Sequence, residues 1–206
     1  MMQILKRLLD IFGATIGLLL STPILLGVAL WIWLDSGRPV FFKQERLGRN
    51  GRTFTMLKFR SMVVNAEAME EGLFSYADDR RITVPGKYIR ATSLDELPQL
   101  FNILKGDMSI VGPRPPVVYE LGSYPDFDER LKGRFIVKPG LTGLAQVLGR
   151  NALNWEQKIA LDLQYIERFK NYGILEDIRI IFLTIGIVIS MRNTIERRPE
   201  SHINEN

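Results

Sequence analysis

The longest pattern in the chain is an uncharged apolar run near its N-terminus. Residues 11–34 carry no charged side chain, are rich in Leu and Ile, and include Trp31 and Trp33 near their end. As an α-helix this run would measure about 36 Å, which is enough to cross the hydrocarbon core of a bilayer. It is long for the apolar part of a cleavable signal peptide and lacks a small-x-small cleavage site, so we interpret it as a permanent membrane segment.

A predicted break lies in the middle of this run, at Ser21, Thr22 and Pro23. Proline removes a backbone N–H, and the two hydroxyls can bond freed carbonyls, which permits a sharp bend. Lys6 and Arg7 precede the run, and five basic residues follow it: Arg38, Lys43, Arg46, Arg49 and Arg52. With positive charge on both sides, the positive-inside rule favours a re-entrant helix hairpin with both ends on one side, and a kinked spanning helix is the alternative.

Two alternating segments follow and predict a β-hairpin. Residues 40–46 and 53–60 alternate apolar and polar positions, and Asn50-Gly51 between them is a strong hairpin turn signal. Lys58 and Arg60 alternate with apolar residues, so they share one face, which a solvated strand face would also explain. We expect a short helix over residues 63–71 and then a mobile loop over residues 78–81.

The C-terminal half carries helical patterns. Asn154 and Gln157 predict a capping box for a helix that ends at Gly173. Its apolar stripe consists of Trp155, Ile159, Leu163, Ile166 and Phe169. Glu176 and Asp177 begin a last helix that is too short to span a membrane and should be buried or lie in the interface, with Arg192, Arg197 and Arg198 near phosphates. Residues 119–132 read as a broken helix.

The predicted fold class is α+β. It comprises an N-terminal re-entrant membrane helix-hairpin over residues 1–36 and a compact, mainly helical domain with a small β-hairpin and interfacial helices over residues 37–198. Residues 199–206 form a polar tail that we predict to be disordered.

Composition narrows the chemistry. The chain has no cysteine, which excludes thiol nucleophiles, thiolate metal sites and disulfides, and its single histidine, His202, lies in the polar tail. Any catalysis must therefore use carboxylates, hydroxyls, lysines, arginines or a bound metal. Lys and Arg number 27 against 23 Asp and Glu, an excess that fits phosphate or a lipid surface. We find no nucleic-acid-binding motif and expect no nucleic-acid partner.

The residue types that carry chemistry meet between residues 91 and 116. Ser93 and Glu96 have the spacing of a capping box at a helix start, and Asp95 then falls in the first turn. A carboxylate there is stabilised as an anion, ready to act as a nucleophile or metal ligand. The helix has an apolar face of Leu97, Leu100, Phe101, Ile103 and Leu104, with Gly106 at its end. Arg114 lies between prolines that restrict its orientation, which suits bidentate phosphate binding, and Arg90 precedes Asp95 by five residues.

A glycine-rich segment, KPGLTGLAQVLGRN, follows at residues 138–151. Glycines spaced this way allow a backbone to approach a phosphate or a base, although a plain turn would give the same pattern.

Together these pieces resemble the bacterial sugar transferases, or monotopic phosphoglycosyl transferases. The resemblance covers residues 5–191 and is carried by the apolar segment with its central proline, GRPVFFKQERLGRNGRTFTMLKFRSM, RATSLDELPQLFNILKGDMSIVGPRP and KPGLTGLAQVLGRN. It implies transfer of a phospho-sugar from a UDP-sugar to a polyprenol phosphate such as undecaprenyl phosphate, with release of UMP and a requirement for Mg²⁺. It also implies a monotopic protein at the cytoplasmic face of the inner membrane.

The resemblance also assigns roles to residues. Asp95 resembles the nucleophile and Glu96 its dyad partner, and both are candidate metal ligands. Phosphate binding is expected of Arg114, Arg90 and Lys58. Nucleotide-sugar binding is expected of Pro139, Gly140, Thr142, Gly143, Gln146 and Arg150. Which UDP-sugar is used and whether the protein forms a homodimer stay open.

Two other functions fit parts of the pattern. A membrane-anchored scaffold that binds polyanionic glycans or lipids would need only the anchor and the basic strands. A membrane phosphotransfer enzyme of another type would use a nucleotide-lipid as its donor. The scaffold gives no reason for an Asp-Glu pair between Arg90 and Arg114, and a panel of donors would separate the two enzymes.

Overall fold

One helix dominates the N-terminal part of the molecule. The computed structural model describes residues 2–69, 79–149 and 152–190, and its first helix, α1, runs from Met2–Ser36 with Pro23 inside it. The hydroxyls of Ser21 and Thr22 donate to the carbonyls of Gly17 and Leu18, at 2.6 and 2.7 Å. The two hydroxyls thus bond the backbone as expected. A division of the helix into two arms is not confirmed, so the re-entrant hairpin stays a prediction.

One stripe of α1 packs against the rest of the protein. Its buried residues are Asp10, Ala14, Ser21, Val28 and Ile32, a spacing that keeps them on one face of a helix. The other faces expose large apolar side chains, among them Leu8, Phe12, Leu19, Leu20, Leu26, Leu30, Trp33 and Leu34. Within the described ranges, α1 is the one helix that is long and apolar enough to cross a membrane.

Both ends of α1 are fastened to the folded domain. Near the start, Lys6 Nζ lies 2.5 Å from Asp177 Oδ2 and donates to the carbonyl of Val111 at 3.0 Å. At the end, Arg60 Nη2 donates to the carbonyl of Ser36 at 2.9 Å. The helix is therefore held on one surface of the domain near both of its termini.

The predicted β-hairpin is confirmed. Strands β1 (Phe41–Leu47) and β2 (Thr53–Phe59) pair antiparallel across a 3₁₀ turn. The backbone of Asn50 and Gly51 in that turn is left-handed, with φ of 56° and 73°, which is why an Asn-Gly pair fits there. The shared face of Lys58 and Arg60 is not a solvated one, since Arg60 is buried and Lys58 is paired with Glu96.

The remaining elements form a helical domain around a second, parallel pair of strands. The strand pair is β3 (Ser109–Val111) with β4 (Gly140–Thr142). The helices are α2 (Val84–Ala91), α3 (Gln99–Lys105), α4 (Glu129–Gly133), α5 (Leu144–Leu148), α6 (Trp155–Tyr172) and α7 (Ile174–Ser190). The fold is thus α+β, mostly helical with small sheets. Three-residue strands carry too little alternation to be seen in the sequence.

Two apolar clusters form much of the core and meet at β3. One joins α1, β2 and α3 through Ala14, Met56, Leu100, Ile103 and Met108. The other joins β3, α5, α6 and α7 through Val111, Leu144, Tyr165, Ile166, Phe169 and Ile180. Ile110 of β3 packs against both clusters.

Several local predictions are confirmed and others are wrong. The box of Asn154 and Gln157 is present in both directions, at 3.0 and 2.9 Å, and α6 ends at Gly173. The prediction of a mobile loop is wrong for Asp79 and Arg81, which are buried and form an ion pair at 2.7 Å. Each side chain can be buried because the other offsets its charge. The helix over residues 63–71 is a single 3₁₀ turn, Ala66–Ala68, as far as the described residues reach. Asp78, the C-terminal arginines and the tail lie outside them.

Candidate active site

The candidate active site is built on a short turn that precedes α3. Leu94–Glu96 is a 3₁₀ turn, and α3 begins only at Gln99, with Pro98 at its N-cap. The predicted capping box is wrong, because Ser93 adopts a left-handed φ of 59° and makes no side-chain cap bond. The side chain of Glu96 is instead used in tertiary contacts.

Glu96 receives two cations on one oxygen. Lys58 Nζ donates to Glu96 Oε1 at 2.9 Å, and Arg114 Nη2 donates to the same oxygen at 2.8 Å. These residues come from β2, the 3₁₀ turn and the segment after β3, so the folded chain brings three distant segments to one carboxylate. Arg114 keeps 44% of its side chain exposed and can still meet a ligand.

The charges around Glu96 shift the pKa values of the cluster. Burial by itself would raise the pKa of Glu96, but the charges and hydrogen bonds of Arg114 and Lys58 outweigh it and hold that pKa well below its usual range. The Glu96 carboxylate raises the pKa of Arg114. Burial lowers the pKa of Lys58, and the carboxylate of Glu96 opposes that shift. Glu96 is therefore ionised throughout the physiological pH range.

Asp95 has a different environment from its neighbour. It is 8% exposed, and the described part of the chain offers its carboxylate no hydrogen bond. Burial is the largest effect on its pKa, which rises to about 6; the charge of Lys58 opposes this rise and that of Glu96 adds to it. At neutral pH the group is mostly ionised, with its oxygen lone pairs unused by the described residues. An anion in that state can act as a nucleophile or ligand.

The predicted phosphate-binding residues converge on this dyad. Arg90 lies near the end of α2, and its charge lowers the pKa of Asp95, as that of Arg114 does. Lys58 reaches the dyad through Glu96. The structure thus brings together Asp95, Glu96, Lys58, Arg90 and Arg114, as the sequence predicted, although Lys58 and Arg114 are already partly neutralised by Glu96.

The turn that carries Arg114 is held at four consecutive carbonyls. The acceptors are the carbonyls of residues 113, 114, 115 and 116. Their donors are Gly140 N at 2.9 Å, Arg134 Nη2 at 2.8 Å, Arg46 Nη1 at 2.9 Å and Leu47 N at 3.0 Å. The flanking prolines restrict the backbone, and these bonds from other segments fix it in place.

Sequence reasoning missed the two side chains among these donors. The sequence indicates Arg46 only as one of the basic residues after the membrane segment, and it gives no signal for Arg134. Burial and the charge of Arg114 lower the pKa of Arg46 to about 10, a sign of how closely the cations gather here. Neither residue belongs to a motif with a recognised spacing, so only the tertiary contacts reveal them.

The glycine-rich segment supports the arginine turn. Pro139, Gly140, Thr142 and Gly143 are all buried, and Thr142 Oγ1 lies 2.7 Å from Thr184 Oγ1 on α7. A Cβ on Gly140 would lie 2.1 Å from the backbone nitrogen of Gly112, and a Cβ on Gly143 would lie 2.2 Å from the carbonyl oxygen of Gly112. Glycine is required here for close packing of backbones.

The nucleotide-sugar role of this segment stays a prediction. The side-chain amide of Gln146 is buried, and its Nε2 and Oε1 have no hydrogen-bond partner in the part of the chain that the structure describes. A polar group in that state is free to accept a ligand or an ordered water. Arg150 lies outside the described residues.

The dyad also fits Mg²⁺. The described ranges contain no group of three or more His, Cys, Asp or Glu side chains, so an all-protein cage is not formed there. Magnesium is commonly held by one or two carboxylates together with substrate phosphates and waters. Asp95 and the second oxygen of Glu96, neither of which is hydrogen-bonded by the described residues, are donors of that kind.

Comparison with known proteins identifies the family. The model of the family described as "Bacterial sugar transferase" matches residues 1–191. The chain belongs to the bacterial sugar transferase family.

Individual proteins that are similar to this family member are also named as sugar transferases or sugar phosphotransferases. It is 46% identical over 197 residues to "Galactosyl transferase CpsE" of Streptococcus agalactiae. The matched region covers 90% of this chain and 42% of the relative. It is 43% identical to "Uncharacterized sugar transferase EpsL" of Bacillus subtilis, with 91% of this chain and 88% of the relative covered. It is 41% identical to "Undecaprenyl-phosphate galactose phosphotransferase" of Salmonella typhimurium, with 91% and 41% covered.

The relatives therefore fall into two lengths. This family member spans about two fifths of the length of the galactosyl transferase and the galactose phosphotransferase, and most of the length of the sugar transferase EpsL.

Proposed function

We propose that the protein transfers a sugar 1-phosphate from a UDP-sugar to undecaprenyl phosphate or a similar polyprenol phosphate, releasing UMP. The observation that carries the proposal is the Asp95 carboxylate, which is buried, is not hydrogen-bonded by the described residues, and is adjacent to the Glu96 carboxylate that Lys58 and Arg114 bond. Relatives that are named for sugar-phosphate transfer to undecaprenyl phosphate support this substrate class. Because the product is a single sugar linked to a lipid carrier, we place this reaction at the first membrane step of glycan assembly.

The first step is attack by Asp95. An Oδ atom of Asp95 bonds to the β-phosphorus of the UDP-sugar, and the bond from that phosphorus to the bridging oxygen breaks, so that UMP leaves with the electron pair. The product is an acyl phosphate between Asp95 and the sugar phosphate. An aspartyl phosphoryl intermediate of this kind is established chemistry for carboxylate nucleophiles.

The second step restores the enzyme. A phosphate oxygen of the polyprenol phosphate bonds to the same phosphorus, and the bond to Asp95 breaks, which releases the carboxylate and a polyprenyl diphospho-sugar. Arg114 and Arg90 offset the negative charge that would otherwise keep two anions apart. Glu96 holds Lys58 and Arg114 in position at the dyad.

Asp95 and Glu96 are the residues that would hold Mg²⁺ together with the diphosphate of the donor. When bound, Mg²⁺ supplies further positive charge to the phosphoryl oxygens and to the departing UMP.

The membrane part of the proposal is a monotopic placement at the cytoplasmic face of the inner membrane. Exposed apolar side chains cover the outer faces of α1 and of α7, among them Phe182 and Ile189 at 69% and 77% exposure. Because Lys6 and Arg60 hold α1 to the domain near both of its ends, a helix that enters and leaves the bilayer on one side fits better than one that crosses it. A bend at Ser21-Thr22-Pro23 would let its centre reach into the membrane.

Intact-protein and peptide mass spectrometry test the reaction directly. The purified enzyme is incubated with a UDP-sugar and Mg²⁺ without any lipid acceptor, over a panel of UDP-hexoses and UDP-N-acetylhexosamines. We expect a phospho-sugar adduct on the peptide that contains Asp95, release of one UMP per adduct, and loss of the adduct when polyprenol phosphate is added. Lipid-dependent turnover with no adduct on quenched samples would point to a single-step transfer, and the absence of both adduct and UMP release with every donor would favour a scaffold.

A further inference from the structure

A buried ion pair lies directly behind the arginine turn. Arg134 Nε donates to Asp162 Oδ2 at 2.9 Å, and Arg134 Nη2 lies 2.7 Å from the same carboxylate oxygen; both side chains are 2% exposed. The same Nη2 donates to the carbonyl of Arg114 at 2.8 Å. Nη2 of Arg134 therefore contacts both the Asp162 carboxylate of α6 and the backbone carbonyl of Arg114, and Nε adds a second bond to Asp162.

Stability alone is a poor explanation for this pair. Removing two charges from water offsets most of their attraction, so buried ion pairs contribute little net stability compared with apolar residues of similar volume. Nη1 of Arg134 is moreover buried without a hydrogen-bond partner in the described part of the chain, which is a further cost. A feature that adds little to stability, yet bonds the backbone of a site residue, suggests another use.

The surroundings make the pair rigid. The Arg134 guanidinium lies 5.3 Å from the ring centre of Phe135 and 5.2 Å from that of Trp155, so aromatic rings limit its movement. Asp162 belongs to α6, whose start is fixed by the capping box of Asn154. The carbonyl of Arg114 is therefore bonded to a group that cannot easily move.

We propose that Arg134, held by Asp162, is a positioning residue that fixes the backbone of Arg114 and so aims its guanidinium at the dyad. This inference rests on the proposed function, since it assigns Arg134 a part in the reaction of the same site. Arg134 does not touch the substrate in this scheme. It acts through the carbonyl of Arg114, whose side chain carries the charge toward Glu96 and the phosphate.

The test is the double variant Arg134→Met/Asp162→Leu, which replaces the pair with apolar side chains of similar length. We expect its melting temperature to stay within a few degrees of wild type, as for other buried pairs replaced in this way. We expect kcat for UDP-sugar turnover to fall by about tenfold or more, since small displacements of catalytic groups are costly, while KM changes by less than about threefold. Hydrogen exchange of the peptide covering residues 107–117 should become faster.

Two further variants complete the experiment. Arg134→Lys keeps a positive charge beside Asp162, but one nitrogen cannot occupy both the Nε and the Nη2 positions, so it should show the same kcat loss and serves if the double variant does not fold. Arg168→Gln is the matched control on α6, because Glu176 stays paired with Arg179 at 2.9 Å. It should leave both constants unchanged.

The results separate this inference from the proposed function. A folded double variant with wild-type kcat, or with wild-type exchange in residues 107–117, would overturn the positioning role. If the wild-type enzyme itself shows no turnover with any UDP-sugar, the proposed function fails, and the exchange measurement still reports whether Arg134 orders the turn.

Discussion

Asp95 and Glu96 are consecutive in the chain, but the fold moves their pKa values in opposite directions. Burial raises the pKa of Asp95 to about 6, whereas Arg114 and Lys58 hold that of Glu96 far below its usual range. The cause is that both cations donate to Glu96 and neither donates to Asp95. A pair of carboxylates separated in this way is suited to two different roles, one as a fixed charge and one as the reacting group.

Asp95→Asn should abolish transfer while preserving the fold. The amide is a far weaker nucleophile than the carboxylate, and we expect UMP release to fall by about a thousandfold or more, the scale seen when a nucleophile is removed. The melting temperature should stay the same or rise slightly, because a buried charge without a hydrogen bond is removed. Asp107→Asn, which alters a pair with the exposed Lys105, is the control and should keep its activity. Substantial turnover by Asp95→Asn would contradict the assignment.

Glu96→Gln should affect both activity and stability. It leaves Lys58 and Arg114 without the carboxylate that neutralises them, so we expect kcat/KM to fall by about a hundredfold. The free energy of unfolding should decrease by about 2 kcal/mol, because the neutral amide can still accept a hydrogen bond but no longer offsets the charge of the buried Lys58. Glu156→Gln removes only an exposed pair with Arg130 and should change neither quantity measurably. An unaffected rate in Glu96→Gln would show that the clamp on Arg114 is dispensable.

The activity should depend on pH through Asp95. The pKa of this group is raised to about 6, and the reaction needs the ionised form, so kcat/KM should be full above that value and fall as pH drops through it. Burial also raises the pKa of Asp162 to about 6, so a single acid limb has two candidate sources. The double variant Arg134→Met/Asp162→Leu separates them: its residual activity should keep the same acid limb. A limb that disappears in this variant would assign the titration to Asp162 instead.

Both ends of α1 should be accessible from the same side of the membrane. Lys6 and Arg60 tie the two ends of the helix to one domain, and the cysteine-free chain allows single cysteines to be placed at the exposed positions Gln3 and Asp35. In inside-out vesicles both should react with a membrane-impermeant maleimide, and in intact spheroplasts neither should. Labelling of one position from each side would support a spanning helix.

Gly140→Ala should displace the arginine turn. Its Cβ would lie 2.1 Å from the nitrogen of Gly112, a backbone atom that cannot rotate away, and we expect a loss of about 3 kcal/mol in the free energy of unfolding together with loss of activity. Gly186→Ala, whose Cβ would meet no atom within 4 Å, is the matched control and should be neutral or slightly stabilising. Denaturant unfolding in detergent measures both. Equal stability of the two variants would contradict the packing role of Gly140.

The sequence by itself determined the features that depend on neighbouring residues. The apolar run of α1, the left-handed turn at Asn50-Gly51 and the capping box of Asn154 were all predicted and are all present. Their physical basis is local: side-chain polarity, the φ angles a residue tolerates and hydrogen bonds across three positions. Roles for Asp95, Arg90 and Arg114 in one site were also predicted, from the family resemblance of the motifs that contain them.

Only the tertiary structure decided which partners the site residues have. Ser93 and Glu96 have the spacing of a capping box, yet Glu96 bonds Lys58, 38 positions away, because two cations meet it in the folded chain and outweigh a local bond to the backbone. Arg134 reached its role in the same way, through an ion pair with a residue 28 positions away. The partners of a long side chain depend on which distant residues the packing brings close to it, and the local sequence does not contain that information.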